Sequence, residues 1–155
     1  EFNFYHEISD GMIGSFNFYS KTINSITGDD VRVSERLYMP TNKLRGFERG
    51  KIGPVDSSDY VGGNYVSAIN LTATLPHFVP NVQNADFSVF YDVGNVWGVD
   101  YSSAVDESNK LRSAVGIAVD WYTPIGPLSF SYAAPLTKAS TDKTESFRFN
   151  LGTTF

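Results

Sequence analysis

The sequence predicts an all-β protein whose antiparallel strands form part of a transmembrane β-barrel. Three observations carry that reading. Apolar and polar residues alternate with period two through most of the 155 residues, the pattern of strands with two unlike faces. The minor face of those strands is small or charged, with Asp92, Arg112, Asp120 and Arg148 on it, which suits a polar lumen. Connections also alternate in length. Those near 10, 76–85 and 123–127 are short, while 29–61, 98–109 and 136–145 are longer and more polar, the asymmetry of an outer-membrane barrel.

The elements follow in order. Residues 2–8 set Phe2, Phe4, His6 and Ile8 against Asn3, Tyr5 and Glu7, and Asp10-Gly11 closes that strand with a tight-turn pair. A second strand is predicted from about 14 to 26, stopping at Gly28-Asp29-Asp30. Residues 29–61 lose the alternation and fill with Gly, Pro, Arg and Asp, and a stretch of that length without regular pattern is often functional. From Tyr65 to Leu75 the odd positions Ile69 and Leu71 oppose Asn70, Thr72 and Thr74, and Pro76 and Pro80 end the strand. Next, Phe87, Val89, Tyr91 and Val93 oppose Asp86, Ser88, Phe90, Asp92 and Gly94. Leu111, Val115, Ile117, Val119 and Trp121 then oppose Arg112, Ala114, Gly116, Ala118 and Asp120.

Thr123-Pro124-Ile125-Gly126-Pro127 is a turn, after which Leu128, Phe130, Tyr132 and Leu136 alternate with Ser129, Ser131 and Ala133. The chain closes with ESFRFNLGTTF. Phe147, Phe149, Leu151 and Phe155 share one face, and Arg148, Asn150, Gly152 and Thr154 the other. Tyr65, Trp97, Trp121, Tyr122 and Phe155 gather at strand ends, as the aromatic girdles of membrane barrels do. On this register Phe87, Val89, Tyr91, Val115, Ile117, Val119, Phe130 and Phe149 face lipid. Thr72, Asp92, Arg112, Asp120 and Arg148 face the lumen.

Composition narrows the function. The formal charge of −5 comes without a basic stripe, which argues against nucleic acid as a partner. The absence of cysteine excludes a disulfide framework and a thiolate metal site. No run approaches the roughly 18 apolar residues of a membrane helix. Aromatics reach 15%, heavy for a water-soluble domain. The opening EFNFYHEIS alternates without a basic leader, so the sequence reads as a fragment that begins in a strand. His6 and His77 are read as structural, and no serine has a histidine in a recognisable nucleophile context. Asp92 and Asp120 are read as lumen-facing ion-pair formers. Neither an enzyme nor a cofactor is predicted.

Within the irregular segment lies TNKLRGFERGKIGP. Leu44-Arg45-Gly46-Phe47 is followed by Ile52-Gly53-Pro54 and Gly62-Gly63-Asn64. Later come Tyr91-Asp92-Val93-Gly94-Asn95-Val96-Trp97 and Trp121-Tyr122-Thr123-Pro124-Ile125-Gly126-Pro127-Leu128, before the terminal Phe155. This ordered series resembles the carboxy-terminal part of the BamA family of bacterial outer-membrane protein assembly factors, across essentially the whole chain. The resemblance implies a sixteen-stranded barrel of which these residues supply about the last seven strands. The family's POTRA domains and first barrel strands would lie outside this sequence.

The resemblance further implies that the loop folds back into the lumen, with Arg45 contacting Asp92 on the inner wall. A second acidic partner of the family falls at Thr72, which carries no charge, so a different arrangement of the anchor is expected. Gly46 permits a tight turn after Arg45, and guanidinium forks onto a carboxylate as lysine cannot. An exposed pair contributes about 0–1 kcal/mol, whereas breaking a desolvated one costs about 3–5 kcal/mol. Only a desolvated pair would hold a loop of this size. No carboxylate partner is assigned to Lys43.

In the family the last strand closes the barrel against the first, and that seam opens sideways. Gly152 is read as a kink there, where a larger side chain would stiffen the strand. A client strand could add to the exposed edge by β-augmentation. The implied partners are nascent outer-membrane β-barrel proteins, outer-membrane lipid and accessory assembly lipoproteins. A two-partner secretion transporter of the same superfamily shares the loop motif and stands as the alternative, ahead of a passive porin and a soluble β-sandwich binding module. The run from Ile52-Gly53-Pro54 to Pro124-Ile125-Gly126-Pro127 favours the assembly factor.

Overall fold

In the structure, a computed structural model, residues 1–75, 84–100 and 109–152 are described. The strands are β1 (Phe2–Ser9), β2 (Met12–Thr22), β3 (Gly46–Phe47), β4 (Val55–Asp56), β5 (Asp59–Tyr60), β6 (Tyr65–Leu75), β7 (Ala85–Trp97), β8 (Arg112–Thr123), β9 (Gly126–Thr137), β10 (Thr144–Glu145) and β11 (Phe147–Leu151). A seven-stranded sheet runs β1-β2-β6-β7-β8-β9-β11, and each neighbouring pair is antiparallel. The sheet is open, with β1 and β11 at its edges.

The register sorts the side chains onto two faces, because period two sends alternate residues to opposite sides. Phe87 faces Val119, Val89 faces Ile117 and Tyr91 faces Val115 on the outer side, and Phe130 lies between Val119 and Phe149. Val89, Tyr91, Val115, Ile117 and Phe149 are exposed there. Asp92, Arg112 and Arg148 point inward, and Asp92 and Arg112 are fully buried. Tyr65 stacks on Trp97 with ring centroids 5.7 Å apart at the long-loop end. Trp121 and Tyr122 lie exposed near the opposite end.

The buried core lies between the long loop and the inner wall. Leu37, Met39, Leu44, Phe47 and Ile52 from the loop pack on Val66, Ala68, Val96 and Ala114 from β6, β7 and β8. A polar lumen is therefore only part of the picture. Beneath the loop the inner wall is apolar, and burying it drives the loop down by the ordinary hydrophobic effect.

Several boundaries differ from those predicted. β2 stops at Thr22 instead of near 26, with the Ile23 N–H still donating in register to the Asn64 carbonyl at 2.9 Å. The irregular segment accordingly starts earlier and contains one small ladder, β4 with β5, and one short strand, β3, that pairs with β10 near the end of the chain. β7 is longer than the apolar run alone indicates. β11 ends at Leu151. Phe155, and Pro76, His77 and Pro80 of the predicted short turn, lie outside the described residues.

Candidate functional site

Arg45 leaves the loop and reaches Asp92 in the middle of β7. Its Nε donates to Asp92 Oδ2 at 2.7 Å and its Nη2 to Oδ1 at 2.7 Å, a forked contact using both carboxylate oxygens. The Arg45 backbone N–H adds a third bond to Oδ2 at 3.0 Å. The Asp92 side chain is fully buried and that of Arg45 is 19% exposed. Such a desolvated, bidentate pair belongs to the class whose disruption costs about 3–5 kcal/mol.

Two residues that sequence reading does not single out complete the anchor. Asn70 lies opposite Asp92 across β6 and β7. Its Nδ2 donates to Asp92 Oδ1 and to the Lys43 carbonyl, both at 2.8 Å. Phe90, two residues before Asp92 on the same face, places its ring under the guanidinium, with Arg45 Cζ 3.4 Å from the ring centroid. A cation–π contact of this kind contributes about 0.5–2 kcal/mol. Thr72 sits opposite Phe90 on β6. The anchor thus combines one carboxylate, one amide and one aromatic ring. The available signal is positional, since Asn70 and Phe90 share the inner face with Asp92, but only the strand register brings them together.

The rest of the motif seats the loop. Leu44 and Phe47 are buried in the core. Gly46 has φ +90°, and an added Cβ would lie 3.1 Å from Ala114 Cβ and 3.2 Å from Ala133 Cβ, so both its backbone and its closeness to the wall favour glycine. Lys43 has a carboxylate neighbour after all: its Nζ bonds to Glu1 Oε1 at 2.5 Å and Asn17 Oδ1 at 2.9 Å.

Two further arginines tie the long loops. Arg112 Nε and Nη2 each donate to Asp142 at 2.9 Å, with both side chains fully buried. Arg36 pairs with Asp100 and donates to Asn64 Oδ1 and the Val31 carbonyl. Burial pushes the Asp100 carboxyl up. The hydrogen bonds from Asn64, the Val31 N–H and Arg36 outweigh it and hold the group at about 2.

At the terminal strand, Phe147, Phe149 and Leu151 face outward from β11 opposite Tyr132, Phe130 and Leu128. Phe149 and Phe130 are 5.0 Å apart. Gly152 has φ +105°, with no other described residue near where a Cβ would stand, and its N–H donates to the Pro127 carbonyl at 3.0 Å. It is thus a left-handed turn at the end of β11. Backbone conformation, not side-chain packing, is what a larger residue would disturb there.

Comparison with known proteins matches the Omp85 superfamily domain to residues 1–155. The outer membrane protein assembly factor BamA of Neisseria meningitidis is 36% identical over 141 residues, covering 72% of this chain and 17% of the relative. BamA of Neorickettsia risticii is 32% identical over 132 residues, covering 83% of this chain and 18% of the relative. The crystal structure of BamA from Haemophilus ducreyi lacking POTRA domains 1–3 aligns with a TM-score of 0.82 at 31% identity, over 95% of this chain and 32% of that one. The chain therefore spans about a fifth or less of the length of those two relatives.

Proposed function

Because this chain belongs to the Omp85 superfamily, we propose that it forms the carboxy-terminal part of an outer-membrane β-barrel that inserts and folds other β-barrel proteins. The observation that carries the reading is the loop bearing Leu44-Arg45-Gly46-Phe47, buried against the inner wall and fixed on Asp92. A passive pore has no need of a loop packed into its interior by a core of its own. Similarity to BamA proteins along the chain supports assembly over secretion.

The outer face of the sheet meets outer-membrane lipid, and the substrates are nascent β-barrel proteins. β11 pairs on one side with β9 and forms an edge of the sheet; in the proposed complete barrel that edge meets the first strand. That junction is a lateral seam at which a client strand adds by main-chain hydrogen bonding. POTRA domains, the first barrel strands and accessory lipoproteins complete the machine.

The test is reconstitution of the complete protein in vesicles with an unfolded β-barrel client. Client insertion faster than into empty vesicles, and slowed by Arg45→Ala, supports the proposal. Export of a soluble passenger without barrel insertion would assign the protein to secretion and overturn it.

A further inference from the structure

Arg148 is the second residue of β11, with its side chain on the inner face and only 12% exposed. Its Nη1 donates to the Thr41 carbonyl at 2.5 Å and its Nη2 to the Phe47 carbonyl at 2.7 Å. Nε and Nη2 also reach Glu145 Oε2, at 3.1 and 2.8 Å. Thr41 and Phe47 bracket the tip that carries Leu44, Arg45 and Gly46. One guanidinium on the edge strand therefore grips both sides of the loop that Arg45 fixes to β7.

Backbone contacts run alongside. Gly46 and Phe47 pair with Glu145 and Thr144, the Glu48 N–H donates to the Lys143 carbonyl at 3.0 Å, and the Lys143 N–H donates to the Lys51 carbonyl at 3.1 Å. The segment entering β11 is thus stitched to the segment leaving the loop tip.

We propose that Arg148 is a positioning residue that couples β11 to the lumen loop, so that the edge strand and the loop tip move together or not at all. β11 is the lightly held member of the sheet: its ladder with β9 spans Phe147 to Leu151. Contacts from inside are therefore a large share of what keeps it in place. The geometry needs a guanidinium, because a planar fork satisfies two carbonyls and a carboxylate in fixed directions, whereas an ammonium is a point charge on a flexible stem. Below the clamp, a chamber of about 230 Å³ lined in part by Asp120, Ser131 and Asn150 gives the released head group a polar place to turn into.

The consequence for client insertion rests on the function proposed above, but the coupling itself is measured without a client. Hydrogen–deuterium exchange on the complete protein in lipid nanodiscs would compare the parent with Arg148→Gln, Arg148→Lys and Arg45→Ala. Arg148→Gln should accelerate exchange by roughly tenfold in residues 147–151 and also in 44–48, since each charge-assisted bond is a sizeable part of local opening. Arg148→Lys should not restore it. By reciprocity, Arg45→Ala should loosen 147–151 as well. Acceleration confined to one segment, or full rescue by lysine, would overturn the coupling. Should Arg148→Gln not fold, Glu145→Gln keeps the cation and removes its orienting carboxylate; exchange must still rise in both segments, or the inference is wrong. Coupled exchange with unchanged client insertion would support the clamp and count against the insertion reading.

Discussion

Asn70 and Asp92 face each other across the β6–β7 ladder, and the Asn70 amide donates to Asp92 Oδ1 at 2.8 Å while also holding the Lys43 carbonyl at 2.8 Å. One wall side chain thereby orients the carboxylate and grips the loop that the carboxylate binds. The anchor is a network in which each member's worth depends on the others.

The first prediction follows from that network. Arg45→Ala and Asp92→Asn should each cost about 3–5 kcal/mol of loop or barrel stability, because each strands a desolvated partner. Asn70→Ala should cost about 1–3 kcal/mol through the hydrogen bonds lost to a buried charge and a carbonyl. A double-mutant cycle between Arg45 and Asp92, read by denaturant unfolding of the complete protein, should show coupling above about 1 kcal/mol. Strictly additive effects would remove the pair as an anchor.

Phe90 makes the second. Phe90→Leu keeps an apolar group under the guanidinium and loses the ring, so a cost of about 0.5–2 kcal/mol is expected. Phe90→Ala should cost about 3–5 kcal/mol, cavity included. If Phe90→Leu is neutral while Phe90→Ala is severe, the ring matters only as bulk.

Much of the fold is legible in the sequence, since alternation alone sorts Phe87, Val89, Tyr91 and Asp92 onto their faces. The Asn70–Asp92 relationship is not. It depends on the register of two strands joined by residues 76–84, and no tight turn signal there fixes that register. The apolar patch of Val66, Ala68, Val96 and Ala114 is similarly hidden. Those residues read as the minor face of their strands, and only the loop folded over them makes them a core. Arg112 and Asp142 are far apart in sequence, and nothing local marks them as partners.

The third prediction is a pH dependence at Asp100. Its carboxyl falls from the ordinary 3.8 to about 2 in the folded protein. A depressed group contributes stability that is present in full above its unfolded value and is lost as pH falls through the folded one. The segment tied by Arg36 and Asp100 should therefore become susceptible to pepsin as pH drops from about 4 to about 2. Asp100→Asn should be susceptible in the same segment already at pH 4. Equal cleavage of parent and variant across that range would contradict the assignment.

Gly152 makes the fourth. With φ +105° and no described residue within 4 Å of an added Cβ, Gly152→Ala should cost roughly 1–2 kcal/mol of local stability through backbone strain, and Gly152→Val more. Exchange of the Gly152 amide, bonded to the Pro127 carbonyl, reports the loss. Unchanged protection would show that the chain end tolerates the strain.

The most direct test of the account is a tether across the seam of the complete protein, with one cysteine placed within residues 147–151 and one on the first barrel strand. When the disulfide is formed the barrel should remain folded and client insertion should stop, and reduction should restore it. Insertion by the tethered protein at the reduced protein's rate would contradict lateral opening at β11, and with it the mechanism proposed for this barrel.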